Sequence, residues 1–436
     1  MPDGRRPTRV RRLVLGLACG LSFLLYLHRY AWGFVKKDVQ DEFGWGPVTL
    51  GWLDSLFAVT YGLGQVPAGI LCDWFGARLL LGGSAVLWSL ALAAIAVATG
   101  VASFAVARLA FGGAQASCYP VLSKVSKNWF PADRRPAAQG LIATLFGRGG
   151  GAAAFLLFGV LVGRMQLPWR TAVLLIAALG VVAGVLFLWL FRNTPREHPW
   201  ANEAEADLIT AGDAEAAHAT GSRLAWSALL RSPSALLLVA RAFASNLADF
   251  FYVYWVPLYF REEMGLGAFE AGCLAALPLL GGALGGLASG WLQTRLLRRT
   301  GNRRWTRAGV ALSGKLAAAL LMLGSLTLEH AAAFAFLFLA VKFFTDWEQA
   351  AEWGAATDLG GRNAATVFAC VNTVGSLGGL VAGPLTGFIL QSYSVGGALT
   401  TAGWNALFVL IAVEYLAAGL CWLFIDSRKP LPAAEG

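Results

Sequence analysis

The 436-residue chain reads as an all-α membrane protein, with twelve transmembrane helices in two six-helix halves. Composition, the lengths of the apolar runs and the placement of the cations carry that reading. Apolar residues make up 57% of the chain and charged residues 14%, against roughly 25% charged in soluble proteins. A hydrocarbon core of about 30 Å takes about 20 helical residues to cross, so a dozen crossings use roughly 240 residues and leave the rest for loops.

Apolar runs broken by short polar clusters place the spans at 13–34, 47–71, 79–99, 101–122, 138–162, 171–191, 235–260, 269–291, 308–328, 331–350, 365–391 and 405–425. Arg5 to Arg12 ahead of the first run imitate a signal peptide. The run of about 22 residues nevertheless contains His28 and Arg29 and lacks a small-residue cleavage site, so it stays as span 1. Connections as short as Ala98 to Ser103 force antiparallel neighbours. The polar stretch 192–231, rich in Ala, Glu and Asp, reads as a partly helical cytoplasmic linker between the halves 1–191 and 232–436.

With the N-terminus inside, 23 of the 34 cations fall on cytoplasmic segments. Five (Lys36, Lys37, Arg164, Arg170, Arg261) fall in outer loops, and six (Arg29, Arg108, Arg148, Arg241, Lys315, Lys342) lie within spans. The asymmetry sets both termini in the cytoplasm and makes the +9 net charge a topological mark. No cationic run interleaved with aromatics suggests nucleic acid as a partner. The six cysteines are scattered singly without metal-ligand spacing, and no hydrolase, zinc-protease or phosphate-loop motif occurs, so neither a metal, a cofactor nor an enzyme is expected. Gly69-Ile-Leu71-Cys-Asp73-Trp-Phe-Gly76-Ala-Arg78 after span 2 has a degenerate echo, Gly290-Trp-Leu292-Gln-Thr294-Arg295, after span 8, as parallel repeats would.

A charge at mid-membrane costs roughly 2.5–3.5 kcal/mol on insertion scales and needs a partner, a wet cavity or a function. Arg29 lies deep in span 1 with Tyr26 and Gly33 near its face, and its guanidinium can grip a carboxylate or phosphate through paired hydrogen bonds. The alternative for Arg29 is a salt bridge to Asp54 of span 2. Arg108, Gln115 and Tyr119 stack on one face of span 4, although Arg108 stands about two turns from the outer end, where snorkelling or pairing competes with ligand contact. Phe57, Tyr61 and Gln65 form a stripe on span 2 that serves packing or offers hydrogen bonds to hydroxyls.

Asn246, Phe250 and Tyr254 share a face of span 7 beside Asp249, Trp255 and a kinking Pro257. Lys342 and Asp346 are expected to pair within span 10, with Glu348 and Glu352 reaching loop arginines. Asn372, Ser376 and Gly379 make a small polar face on span 11, and Arg148 serves a gate or an ion pair. His28 either carries a coupling proton or sits neutral and hydrogen-bonded, with Asp54, Asp249 and Asp346 as rivals.

The run Gly69 to Arg78 resembles the signature loop of the major facilitator superfamily, with Trp74 in place of the usual basic residue. Further segments resemble the anion:cation symporters, the group that includes hexuronate, galactonate, glucarate and sialic-acid transporters. They are Tyr26-x-x-Arg29; Gly51-Trp52 with Phe57, Tyr61, Gln65 and Pro67; Trp129-Phe130-Pro131 with Arg134; Trp169-Arg170; Arg192-Asn-Thr-Pro195-x-Glu197-His198-Pro199-Trp200; Tyr254-Trp255-x-Pro257-x-Tyr259; Asp358 to Arg362 with Asn372, Gly375, Gly378, Gly379 and Pro384; and Gly403-Trp404-Asn405.

The resemblance implies the major facilitator fold and an alternating-access carrier of small organic anions, above all a hexuronate- or aldonate-like sugar acid. On this reading Arg29, Tyr26, Tyr61, Gln65, Gln115, Asn246, Tyr254 and Asn372 contact the substrate. His28, Asp54 and Asp249 are the candidates for coupling to H+ or Na+, and Gly69, Asp73, Gly76, Arg78, Arg108 and Arg148 serve gating. The expected setting is a bacterial inner membrane, with the protein monomeric. His28 and Gln115 stand where proton-coupled members usually have carboxylates, and Asp249 stands where phosphate-ester antiporters have a second arginine. Exchange of phosphate esters or other anions, and transport-inactive sensing of the same ligand, remain the alternatives.

Overall fold

The computed structural model describes residues 6–131, 134–210, 226–361, 364–428 and 431; Arg5, Arg223, Arg362, Lys429 and the middle of the linker lie outside them. Backbone groups in hydrocarbon must be satisfied within the segment, so apolar runs of this length fold as helices. Among the described residues the only strand-like feature is the bridge Val395–Ala398.

The first half runs through α1 (Val10–Phe43), α2 (Pro47–Val97), α3 (Val101–Gln115), α4 (Cys118–Trp129), α5 (Arg135–Gly140), α6 (Gly147–Phe158) and α7 (Trp169–Leu190). Wide π-helical turns at Leu141–Phe146 and Gly159–Arg164 flank α6. The linker contributes α8 (Glu203–Thr210) and α9 (Trp226–Arg231). The second half holds α10 (Pro233–Tyr254), α11 (Val256–Glu262), α12 (Ala268–Thr300), α13 (Arg303–Gly324), α14 (Ala331–Asp346), α15 (Gln349–Gly360), α16 (Ala364–Ser392) and α17 (Thr401–Phe424).

Nine helical stretches among the described residues are long and apolar enough to cross a membrane alone. One of them, α2, covers spans 2 and 3 end to end, with only Gly76 (φ 78°, ψ 159°) out of helical geometry where a loop was expected. The fourth span of each half is built in two pieces, α3 with α4 and α14 with α15, which restores twelve spans.

The breaks follow from the sequence. Proline lacks an N–H and frees the carbonyl four residues back. Pro120 therefore releases Ala116, at the break between α3 and α4. Pro257 releases the carbonyl of Val253, which faces Gly33 of α1 so closely that a Cβ there would lie 2.0 Å from it. Pro384 releases Leu380, whose carbonyl accepts the Ser55 hydroxyl of α2.

The chain forms two compact units that do not coincide with its halves. Unit 1 comprises residues 1–32, 56–154 and 165–220; unit 2 comprises 33–55, 155–164 and 221–436. Thus the later part of α1, the start of α2 and the π turn after α6 pack with the second-half helices. Within unit 2, Gly51 meets the Gly383 backbone, Gly387 meets Pro47, and Arg261 holds Asp38 through two bonds of 2.6 and 2.9 Å.

Within unit 1 the linker is bound to the membrane helices. The buried Glu205 carboxylate accepts the backbone N–H groups of Val10 and Arg11 at 3.1 Å each, the Arg11 guanidinium at 3.0 Å and the Thr8 hydroxyl. It thereby caps the positive end of α1 with an anion. His198 donates from Nε2 to Leu190 O at 3.1 Å, accepts the Trp200 N–H at Nδ1 and meets the Trp129 ring edge-on. Glu205→Ala should therefore lower stability by about 1–3 kcal/mol, seen as a fall in Tm of the detergent-solubilised protein, with Glu205→Gln falling less; an unchanged Tm for the alanine variant would remove the cap from the account.

Candidate functional site

In unit 1 the helix-spaced residues of span 1 meet those of spans 2 and 4. Arg29 is buried, 8% exposed, and its guanidinium carbon lies 4.3 Å from the centre of the Tyr61 ring, 5.0 Å from Phe57 and 5.1 Å from Tyr26. Arg29 Nε donates to Gln115 Oε1 at 3.2 Å, and Gln115 Nε2 donates in turn to Leu25 O at 3.1 Å. The amide thus fixes the guanidinium without neutralising it. Gln115 ends α3, so the break in the fourth span falls at the residue that holds Arg29.

Tyr119, on the far side of that break, packs edge-on against Tyr26 and lies 3.2 Å from the Ser22 hydroxyl. Gly147 lets both tyrosines approach, since a Cβ there would lie 3.0 Å from Tyr26 and 3.1 Å from the Tyr119 oxygen. Gln65 follows one turn after Tyr61, its Nε2 buried without a hydrogen-bond partner among the described residues. Arg108 is fully buried under Trp32 and Phe57, 5.1 Å from each ring centre, and does not snorkel outwards. Two guanidiniums therefore share the Phe57 ring.

The placement of Lys36 in an outer loop is corrected. α1 continues to Phe43, and in unit 2 Lys36 Nζ binds Asp54 Oδ2 at 2.7 Å with both side chains fully buried. Lys36 also stacks on Trp255 at 3.9 Å and lies 5.3 Å from Tyr254. The missed signal was its spacing: Lys36 follows Arg29 by seven residues, two turns along the same face.

His28 is buried with Nε2 bonded to Ile176 O at 3.0 Å and Nδ1 without a hydrogen-bond partner among the described residues. The ring needs one proton, on Nε2, to satisfy that bond. Asp249 and Asp346 share the Lys342 ammonium at 2.7 and 3.2 Å, so the expected pair within the tenth span is present and has a third member. Among the described residues, Glu348 and Glu352 pair with no loop arginine. Glu348, beside the break between α14 and α15, accepts Arg241 at 2.6 Å, Lys315 at 2.8 Å, Trp422 at 2.9 Å and Ser245 at 3.0 Å, and Glu352 takes the other arm of Arg241. Asn246 gives its amide to Ala242 O at 2.9 Å and packs on Gly375 and Gly378. Asn372 is exposed, and its carbonyl accepts Ser376.

The signature loop is tied to its surroundings within unit 1. Asp73 pairs with Lys124 of α4 at 2.7 Å, while Arg78 donates its backbone N–H to Asn193 Oδ1 at 2.9 Å and its side chain to Leu188 O at 2.7 Å. Gly76 takes a backbone conformation open almost only to glycine, and a Cβ there would meet Asn193 at 2.8 Å. The space around Gly69 is open, and Arg148 is half-buried at the start of α6. Among the described residues, no group of three His, Cys, Asp or Glu could hold a metal ion.

Twelve membrane helices with a guanidinium held among rings and an amide describe a carrier of small solutes rather than an enzyme. The chain belongs to the Major Facilitator Superfamily, whose family model matches residues 18–383. It is 26% identical over 403 residues to a probable sulfoacetate transporter, SauU, of Cupriavidus necator, covering 91% of this chain and 92% of that protein. It is also 26% identical to the hexuronate transporter of Bacillus subtilis, covering 89% and 90%. A crystal structure of a bacterial homolog of the human lysosomal transporter Spinster, inward-facing and occupied, matches with a TM-score of 0.77 and 16% identity over 96% of this chain and 97% of that one. Gly76→Ala should cost about 1–3 kcal/mol in backbone strain and cut solute uptake at least several-fold; unchanged uptake at equal expression would show that the conformation at Gly76 is dispensable.

Proposed function

We propose that the protein carries small organic anions across a bacterial inner membrane by alternating access, as a monomer with both termini cytoplasmic. Arg29 binds the substrate carboxylate, and Tyr26, Tyr61 and Gln115 orient it. The observation that carries this reading is the setting of Arg29: a buried guanidinium packed among three aromatic rings and donating to a neutral amide. A guanidinium this deep in a span is a functional group by default, and its paired N–H donors suit an anionic ligand. A sugar acid fits, because the tyrosine hydroxyls and the glutamine amide suit polyol groups, and the relatives named for hexuronate, galactarate/D-glucarate and L-galactonate support it.

One observation favours a second substrate class. Arg108 shares the Phe57 ring with Arg29, which suits a compact anion bearing two acid groups, the chemistry of the sulfoacetate for which one relative is named. In proteoliposomes, Arg29→Ala should lower the uptake of labelled hexuronate or aldonate about 10- to 100-fold, the loss of a charged hydrogen bond of about 1.5–3 kcal/mol. Undiminished uptake would overturn the assignment, and Arg108→Gln impairing only dianions would favour the second class.

Coupling is assigned to Asp249. Asp249 and Asp346 share the Lys342 ammonium, and Asp249 is the more accessible of the two, its side chain 36% exposed against 7% for Asp346. The position of Asp249 lets it exchange a proton with solvent, whereas a proton on His28 would have to sit on a buried Nδ1. Asp249→Asn should keep counterflow exchange but lose accumulation driven by a pH gradient. Accumulation that persists in the variant would move coupling elsewhere.

A further inference from the structure

The face of α12 changes character along its length. Leu280, Leu284, Leu287 and Trp291 follow one another at helical spacing and are all exposed. The same spacing continues into Arg295 and Arg298, with Arg299 beside them. These three arginines, with Gly290, Trp291 and Thr294, line an open cavity of about 640 Å³ at the end of the helix. The Arg295 guanidinium lies 5.5 Å from the centre of the Trp291 ring.

The charges in that cavity are not balanced as their neighbours are. Arg303 and Arg307 pair with Asp358, and Arg304 and Arg428 pair with Asp426. Among the described residues Arg295, Arg298 and Arg299 have no carboxylate within ion-pair distance. An exposed leucine stripe in a membrane-crossing helix faces acyl chains, a tryptophan at its end marks the interfacial level, and guanidiniums just beyond it stand at phosphate height. Cations at that height are attracted to an anionic lipid surface.

We propose that this cavity is a binding site for an anionic phospholipid, with the headgroup phosphate held by Arg295, Arg298 and Arg299, the glycerol against Trp291 and an acyl chain along Leu287, Leu284 and Leu280. A soluble phosphate would use the arginines but gain nothing from the stripe. The juxtaposition of stripe, ring and uncompensated cations on one helix face selects a lipid.

The test uses the full chain in detergent, as wild type and as R295Q/R298Q/R299Q, substitutions at exposed positions. Phosphatidylglycerol should raise the wild-type Tm by several degrees, phosphatidylcholine and glycerol 3-phosphate should not, and the triple variant should lose at least half of the shift. An equal shift in both proteins would overturn the proposal, and so would glycerol 3-phosphate reproducing the lipid effect. Native mass spectrometry of the wild type alone gives a second reading that does not depend on the variant folding. Phosphatidylglycerol should survive collisional activation that strips phosphatidylcholine, and equal loss of the two would also overturn the site.

Discussion

An ionised side chain inside a bilayer costs roughly 2.5–3.5 kcal/mol unless something answers it, and this chain answers its deep charges in three different ways. Lys36 with Asp54, and Lys342 with Asp249 and Asp346, are met by opposite charge. Arg241, Lys315, Glu348 and Glu352 form a larger cluster in which one carboxylate accepts hydrogen bonds from four donors. Arg29 packs among three rings and donates to an amide. Pairing removes charge from the interior, whereas a ring stabilises a cation through its quadrupole and leaves the charge to act on a ligand. The first two solutions hold helices together; on the proposed reading the third serves a ligand.

The backbone obeys the same constraint. Each proline inside a span frees a carbonyl that hydrocarbon cannot solvate. The freed carbonyl of Val253 turns to Gly33, where only a residue without Cβ leaves room, and that of Leu380 is taken by the Ser55 hydroxyl. Both contacts lie in unit 2, which explains why residues 33–55 group with the second-half helices although they belong to the first two spans. Proline on one helix and glycine or serine on its neighbour thus act as a pair, and the helix that breaks gains its partner through the break.

Much of this was legible in the sequence because span length and apolarity are one-dimensional properties. The twelve spans, the kink near Pro257 and the Lys342–Asp346 pair follow from spacing along a single helix. Partners across helices were less accessible. Asp54 binds Lys36, a cation that follows Arg29 by seven residues on the same face and that spacing along one helix does not single out as its partner. Glu348 and Glu352 were assigned to loop arginines, since nothing in a single sequence shows that Arg241 and Lys315 converge on the break between α14 and α15. The end of span 1 was misplaced for a related reason: Lys36 and Lys37 look like a loop boundary when Asp54 cannot be seen to bury one of them.

Gln115 bears on the logic of transport more than any other departure from the family pattern. A carboxylate at that position, 3.2 Å from Arg29 Nε, would neutralise the guanidinium whenever it was ionised, and an incoming anion would bind only as that acid took up a proton. The amide makes the same hydrogen bond and carries no charge, so this contact does not titrate against the attraction of Arg29 for an anion on the proposed reading. Binding and proton uptake, which a single arginine–acid pair would couple directly, are then separate properties of separate groups. On the proposed reading the binding charge is Arg29 in unit 1, and the coupling acid is Asp249 beside Lys342 in unit 2. If proton movement is coupled to transport here, it acts through the conformational equilibrium of the carrier and not through competition at the arginine. The pH dependence should then appear in the accumulation ratio and not in the affinity.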